Sequence, residues 1–202
     1  MPRRLYDAIP SANSVRVRIL LHEKGLDYQR VTLDLNKKEQ KRPEFLRLNP
    51  YGKVPVLDDN GKVLFESLII NEYLEEKYPP PSFMPQDPYL RGRIRLLTDY
   101  GMNYINEPFT AWRLQMRGKP EDRDPKVVEA AGNAVLERLS YLEVALGEQA
   151  FLAGEISLAD IALVPRFLIM DEFGLFPAPS LTRLSAWLDR MKARPALKPF
   201  VG

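Results

Sequence analysis

Asn49-Pro50-Tyr51-Gly52-Lys53-Val54-Pro55-Val56-Leu57-Asp58-Asp59-Asn60-Gly61-Lys62-Val63-Leu64-Phe65-Glu66-Ser67 contains two short apolar runs, Val54–Leu57 and Val63–Phe65, around Asp59-Asn60-Gly61. Asn-Gly between apolar runs signals a tight hairpin, because both residues tolerate the positive φ that such a turn requires. Pro55 stands inside the first strand, where its missing N–H leaves a ladder position unfilled. Two geometries satisfy it, a cis Val54–Pro55 bond or a trans proline on an edge strand. Glu66-Ser67 then opens a helix reaching Lys77, with Leu68, Ile69, Tyr73 and Leu74 as its apolar stripe.

Upstream the rhythm alternates. Arg4–Ala8 suits a strand, and Pro10-Ser11-Ala12-Asn13-Ser14 supplies a turn with several N-capping side chains. Val15, Ile19, Leu20, Leu21 and His22 give a helix that stops at Gly25. Tyr28–Leu33 alternates as a strand does, and Pro43-Glu44-Phe45-Leu46 forms the first turn of a short helix ended by Asn49-Pro50. The order is β-α-β-α-β-β-α, in which the βαβ unit demands a parallel pair and the hairpin adds antiparallel strands.

Pro79-Pro80-Pro81 cannot continue the third helix and marks a stiff linker. Beyond it Tyr89–Asn106, Pro125–Gly147, Ser157–Met170 and Ser180–Ala193 read at helical spacing, with no strand signature. The expected organisation is an α/β domain over 1–80, a linker over 81–88 and an all-helical domain over 89–202. Ser157-Leu158-Ala159-Asp160 carries the aspartate version of a capping box, stapled by Ile156 and Ile161. It is a folding signal, worth about 1 kcal/mol or more to its helix.

Composition narrows the chemistry. The 202 residues contain no cysteine and one histidine, which removes disulfides, thiol nucleophiles and CxxC redox exchange and disfavours a zinc or haem site. Basic and acidic residues nearly balance, 29 against 27, so the excess expected of a nucleic-acid binder is missing. No apolar run approaches a membrane span and no signal peptide is visible, so the expected location is the cytoplasm. His22 lies in a helix, away from any serine turn, so a Ser-His-Asp hydrolase is disfavoured.

Three features suit an anionic ligand. Ser11 precedes the first helix, and a hydroxyl at a helix N-terminus favours the ionised form of an atom such as a thiolate. Glu66-Ser67 opens the third helix, whose free N–H groups attract anions, with ordinary capping as the plain alternative. Lys37–Arg42 is either a solvated loop face or a lid whose Lys41 pairs with a carboxylate. Tyr100, Tyr104, Phe109 and Trp112 are either core or an apolar wall between domains.

Taken in order, these segments resemble the cytosolic glutathione transferase superfamily over nearly the whole chain. Ser11 before Arg16-Val17-Arg18-Ile19-Leu20-Leu21 is similar to the serine-type opening of its phi, tau, theta and zeta classes. Glu39–Leu46, Asn49–Leu57, Phe65-Glu66-Ser67 and Ser157–Asp160 follow at the family's spacing. The resemblance implies a thioredoxin-like first domain with cis-Pro55 and an all-α helical-bundle second domain. It implies that Ser11 donates a hydrogen bond to the glutathione sulfur, with Tyr6, Asn13 and Ser14 as competitors for that role. It implies that Val54 pairs its backbone with the cysteinyl part and that Glu66 and Ser67 hold the γ-glutamyl end. Lys41 and Lys53, with Gln40 alongside, match positions on the glycyl side, where Gln40 replaces a frequent histidine and Lys53 a frequent glutamine. Tyr51 matches an aromatic key between subunits of a homodimer.

The activity so implied is conjugation of glutathione, as co-substrate and without metal, to a small hydrophobic electrophile in detoxification. A cysteine-free chain must receive its thiol with the ligand. The alternative is a non-catalytic interaction protein similar to stringent starvation protein A, which associates with RNA polymerase; that resemblance is clearest over Glu66–Met84. Its Pro-His-Pro motif is replaced here by Pro79-Pro80-Pro81. A zeta-like isomerase is a third reading, although its Ser-Ser-Cys opening is Ser11-Ala12-Asn13 here.

Overall fold

The computed structural model describes residues 3–9 and 11–201. Pro10, part of the turn read from the sequence, lies outside them. The chain divides into two compact units, Met1–Phe83 with Pro195–Gly202, and Met84–Arg194.

The first unit follows the thioredoxin-like order: β1 (Arg4–Asp7), α1 (Ala12–Glu23), β2 (Gln29–Thr32), α2 (Pro43–Leu46), β3 (Val56–Asp59), β4 (Lys62–Phe65) and α3 (Ser67–Lys77). The sheet order is β2-β1-β3-β4. β1 runs parallel to β2 and antiparallel to β3, with Leu5 opposite Leu57 and Tyr6 opposite Val56. The hairpin pairs Val56 with Phe65 and Asp59 with Lys62 across Asn60 (φ 58°) and Gly61 (φ 85°). Both turn residues therefore adopt the backbone region that the Asn-Gly pair predicts. Central strands bury most: Leu5, Val56 and Leu57 are fully covered, together with Val17, Leu20, Leu21, Ile70 and Leu74 from the helices. The buried stripe of α3 is Ser67, Ile70, Asn71, Leu74 and Glu75. Ile69, on the apolar stripe read from the sequence, is exposed.

Val54–Pro55 is cis. The Pro79–Pro81 segment is anchored to this unit instead of leaving it freely. Buried Lys24 donates to Tyr78 O (3.1 Å) and Pro81 O (2.7 Å) and pairs with Glu75 Oε2 at 2.8 Å. Glu75 Oε1 in turn accepts from Ser82 Oγ (2.6 Å) and Phe83 N (2.9 Å). These bonds carry the compact unit to Phe83, into the stretch expected as linker. The last residues also differ from the expected division: the three-ten turn Pro195–Phe200 belongs to the first unit, with the Arg18 guanidinium over the Phe200 ring at 4.5 Å.

The second unit contains α4 (Pro88–Asp99), α5 (Asn106–Arg117), α6 (Pro125–Leu146), α7 (Leu158–Glu172) and α8 (Thr182–Lys192). The periodicity read as one helix over Tyr89–Asn106 breaks at a π-helical turn, Tyr100–Tyr104, and a separate α5 follows. A Cβ on Gly101 would run into Leu163, so glycine permits the close approach to α7 there. Buried Arg166 of α7 donates to Gly101 O (2.6 Å), Met102 O (3.3 Å) and Asn106 Oδ1 (2.8 Å). It thereby satisfies carbonyls that the irregular turn leaves open. Burial, with neighbouring Arg113, lowers its pKa to about 10. Phe109 and Trp112 are core, whereas Tyr104 is exposed and stacks on Tyr100.

Asp160 acts as the capping sequence predicts. It accepts from Ser157 N (2.9 Å) and Ser157 Oγ (2.8 Å), and also from Leu152 N (2.9 Å) and Trp187 Nε1 (2.8 Å). One buried carboxylate thus ties the start of α7 to the preceding loop and to α8.

Candidate functional site

Strand register brings the singled-out segments to one end of the sheet. Tyr6 opposite Val56 sets the end of β1, which leads to Ser11, beside the start of β3, which follows Val54-Pro55. Val56 opposite Phe65 sets the end of β4, and hence Glu66-Ser67, at the same edge. Two helix N-termini, those of α1 and α3, begin there, and the first turn of a helix carries backbone N–H groups that have no partner within the helix.

Ser11 is the N-cap of α1, with its backbone extended and its Oγ accepting from Ser14 N at 3.2 Å. The residue is half-buried. Ser14 is fully covered, Asn13 is exposed, and the Tyr6 ring packs edge-on against Phe45 at 6.1 Å. Of the four hydroxyl and amide candidates, Ser11 alone combines partial exposure with the N-cap position.

Glu66 is exposed and caps α3 without a side-chain capping bond. Its φ of 68° lies in the region that glutamate seldom occupies. Such strain, of order 1–3 kcal/mol, is concentrated at functional positions. Ser67 is buried and accepts from Arg16 Nη1 at 2.6 Å. The same nitrogen donates to Asn13 Oδ1 at 3.1 Å. Arg16, only 1% exposed, therefore clasps the first turn of α1 to the first residue of α3.

The second cluster forms around the turn before Pro55. Buried Asn49 donates to Lys53 O (2.7 Å) and accepts from Tyr51 N (3.0 Å), fixing the approach to Val54. Lys41 Nζ donates to Tyr51 O at 3.0 Å. Gly52 has φ +59°, and a Cβ there would lie 2.8 Å from Gln40 O and 2.7 Å from Lys41 Nζ. Glycine thus admits the Gln40-Lys41 turn against the Pro55 loop. Lys41 and Lys53 are exposed, and Gln40 and Val54 are half-buried.

The structure therefore joins Asn13 and Ser67 through Arg16, places Ser11 at the start of the same helix as Asn13, and brings Gln40 and Lys41 against Gly52, next to Lys53. The cations at this end of the sheet are Arg16, Lys41 and Lys53, joined by two positive helix ends; of the carboxylates, Asp7 is buried and paired with Arg30, and Glu66 is exposed. Such a set suits an elongated ligand with several anionic groups and one cationic group. Arg16, Asn49 and Gly52 were not marked by the sequence as individual site residues. The signal for Arg16 was its spacing with Leu20 and Lys24 on one helical face, although buried and exposed arginines look alike in sequence. Among the described residues no His, Asp or Glu cluster is arranged to hold a metal, and no helix is long and apolar enough to cross a membrane.

Comparison with known proteins agrees with this architecture. Residues 1–76 match the model of the glutathione S-transferase N-terminal domain and residues 105–195 that of the C-terminal domain. A maleylacetoacetate isomerase of Pseudomonas aeruginosa is 34% identical over 202 residues, covering 96% of this chain and 93% of the relative. A stringent starvation protein A homolog of Haemophilus ducreyi is 32% identical, covering 94% and 85% respectively. The theta class glutathione S-transferase of Xanthomonas axonopodis pv. citri, solved with glutathione bound, superposes with a TM-score of 0.91 at 28% identity, covering 100% of this chain and 98% of that one. With both family domains matched in order across a shared fold, the chain belongs to the glutathione S-transferase family.

Proposed function

We propose that this protein binds glutathione at the sheet edge, ionises its thiol beside Ser11 and conjugates the thiolate to a small hydrophobic electrophile in the cytoplasm. The observation that carries the reading is the Ser11 geometry. Its Oγ already accepts from Ser14 N, so the hydroxyl proton is left to donate outward at the positive end of α1. A free thiol ionises well above pH 7, and each unit of downward shift is worth about 1.4 kcal/mol of preferential thiolate binding. The remaining work is positioning the thiolate against the electrophile. The γ-glutamyl end would meet Ser67 and Glu66, the cysteinyl backbone Val54, and the glycyl carboxylate Lys41 and Lys53 with Gln40 alongside.

Thiolate absorbance of bound glutathione tests this. The wild-type chain is expected to bind millimolar glutathione and to lower its thiol pKa. Ser11→Ala should raise that pKa and cut conjugation of a chlorodinitrobenzene about tenfold to a hundredfold, with glutathione still bound. Unchanged turnover would move the role to another group. Failure of the wild type to bind glutathione would instead support the interaction-protein reading, which the stringent starvation protein A relative favours.

We also propose a twofold homodimer keyed by Tyr51, which is 62% exposed and edge-on to Phe65 at 5.7 Å. Val63 and Ile69 of the same unit are exposed as well. Sedimentation should give a dimer for the wild type and a shift towards monomer for Tyr51→Ala.

A further inference from the structure

We infer that Arg16 is a positioning residue that fixes the hydrogen-bond polarity of the site, turning Asn13 and Ser67 into donors towards an anionic ligand. This rests on the glutathione reading above and adds a residue to it.

A serine hydroxyl has one proton to give and two lone pairs to receive, and a carboxamide has a receiving oxygen and a giving nitrogen. Left alone, each can rotate to present either character. Arg16 has only donors, and its Nη1 lies 2.6 Å from Ser67 Oγ and 3.1 Å from Asn13 Oδ1. It therefore occupies a lone pair on the Ser67 hydroxyl, whose proton must be given elsewhere. It also settles the Asn13 amide with oxygen inward and nitrogen outward, at an exposed position. A guanidinium donor is charge-assisted, so it polarises the hydroxyl and strengthens the bond that Ser67 gives in turn. Ser14 N does for Ser11 what Arg16 does for the other two. All three groups thus have an acceptor side engaged from within the fold. The edge is preorganised for anions before any ligand arrives, without the cost of turning polar groups around.

The arginine suits this role better than lysine. Its guanidinium stays charged when buried, and its rigid plane fixes the directions of the two Nη1 protons, one towards each helix, while an ammonium on a flexible stem holds its protons in no fixed direction.

The test is a double-mutant cycle between Arg16→Lys and Ser67→Ala, read by calorimetric affinity for S-methylglutathione, which has no ionisable thiol. Each single change is expected to weaken binding about tenfold, and the double variant about as much as one alone, because Ser67 gives its full bond only when Arg16 orients it. Arg16→Gln, in which the cation is lost, should bind more weakly than Arg16→Lys. Comparable Tm values among the variants separate orientation from a loss of fold. If Arg16→Gln fails to fold, the lysine variant and its cycle with Ser67→Ala still decide the matter. Wild-type affinity in Arg16→Lys, or losses that simply multiply in the double variant, would overturn the inference while leaving the glutathione reading intact. Absence of binding by the wild-type chain to both glutathione and S-methylglutathione would overturn both.

Discussion

Asp59 ends β3 as a fully buried carboxylate, and its partners surround it. Lys77 Nζ and Tyr78 Oη donate at 2.6 Å, Tyr73 Oη at 2.8 Å, and Arg3 Nε lies at 3.4 Å. Burial alone pushes the carboxyl pKa up, but the bonds from Lys77, Tyr78 and Tyr73 outweigh it and bring the value from an ordinary 3.8 to about 2. A depressed carboxylate stabilises the fold above its unfolded pKa and loses that contribution as pH falls through its folded one. The loss therefore spans roughly pH 4 to 2, on the order of 2 kcal/mol. Asp59→Asn should lower the Tm at neutral pH and flatten the acid limb in that window, so that variant and wild type converge near pH 2. Parallel acid limbs in urea unfolding across that range would show that other carboxylates carry the effect. Neither Asp59 nor Arg16 was legible as a pivot in the sequence, because partners 18 or 51 positions away leave no local periodic mark. Ser11, Glu66 and Ser67 were legible, since helix starts after strands have a local signature in residue type.

At the scale of elements, legibility followed how local the cause was. The Asn-Gly hairpin, the single turn of α2 after Pro43 and the capped start of α7 depend on residues within four positions of one another. Structure and sequence therefore agree there. The long helix expected over Tyr89–Asn106 failed because its interruption is tertiary. Gly101 comes close to Leu163, and Arg166, 65 residues away, takes up its carbonyl. The α5 helix lies outside the helical spans read from the sequence although Phe109 and Trp112 share its buried face, and Pro108 stands in its first turn. Proline there lacks only an N–H that a helix start leaves unpaired anyway. On α3 the apolar pattern hid a polar seam: Ser67, Asn71 and Glu75 are all buried at spacings of four. Ser67 and Glu75 meet Arg16 and Lys24, so two polar clasps at opposite ends align α1 with α3. The polar seam thus sets the register of the two helices whose N-termini border the candidate site, and their apolar packing supplies the burial around it.

At the scale of the whole molecule, the chain leaves the first unit after Phe83 and re-enters it at Pro195. A fragment ending near the proline run would thus lack a native part of that unit. The one histidine reports on that part. His22 Nε2 lies 3.3 Å from Tyr28 Oη, and its ring is 5.9 Å from that of Phe200. Burial, then the nearby Arg18 guanidinium, hold its pKa below the ordinary 6.5, against a raising hydrogen bond with the Ala196 backbone. Arg18 itself faces Asp7 at 3.8 Å. A lowered histidine pKa means that the unfolded chain takes up the proton more readily, so stability falls as pH drops through 6.5 towards the folded value. Truncation after Arg194 removes Phe200 and Ala196, uncovers the imidazole and takes away its largest perturbation. The single imidazole resonance should then titrate upwards towards 6.5, and the truncated chain should have a lower Tm with a shallower dependence on pH between 5 and 7. An unchanged His22 titration would mean that the returning segment does not cover α1 in solution. A shifted titration with an unchanged Tm would mean that it covers α1 without supporting it.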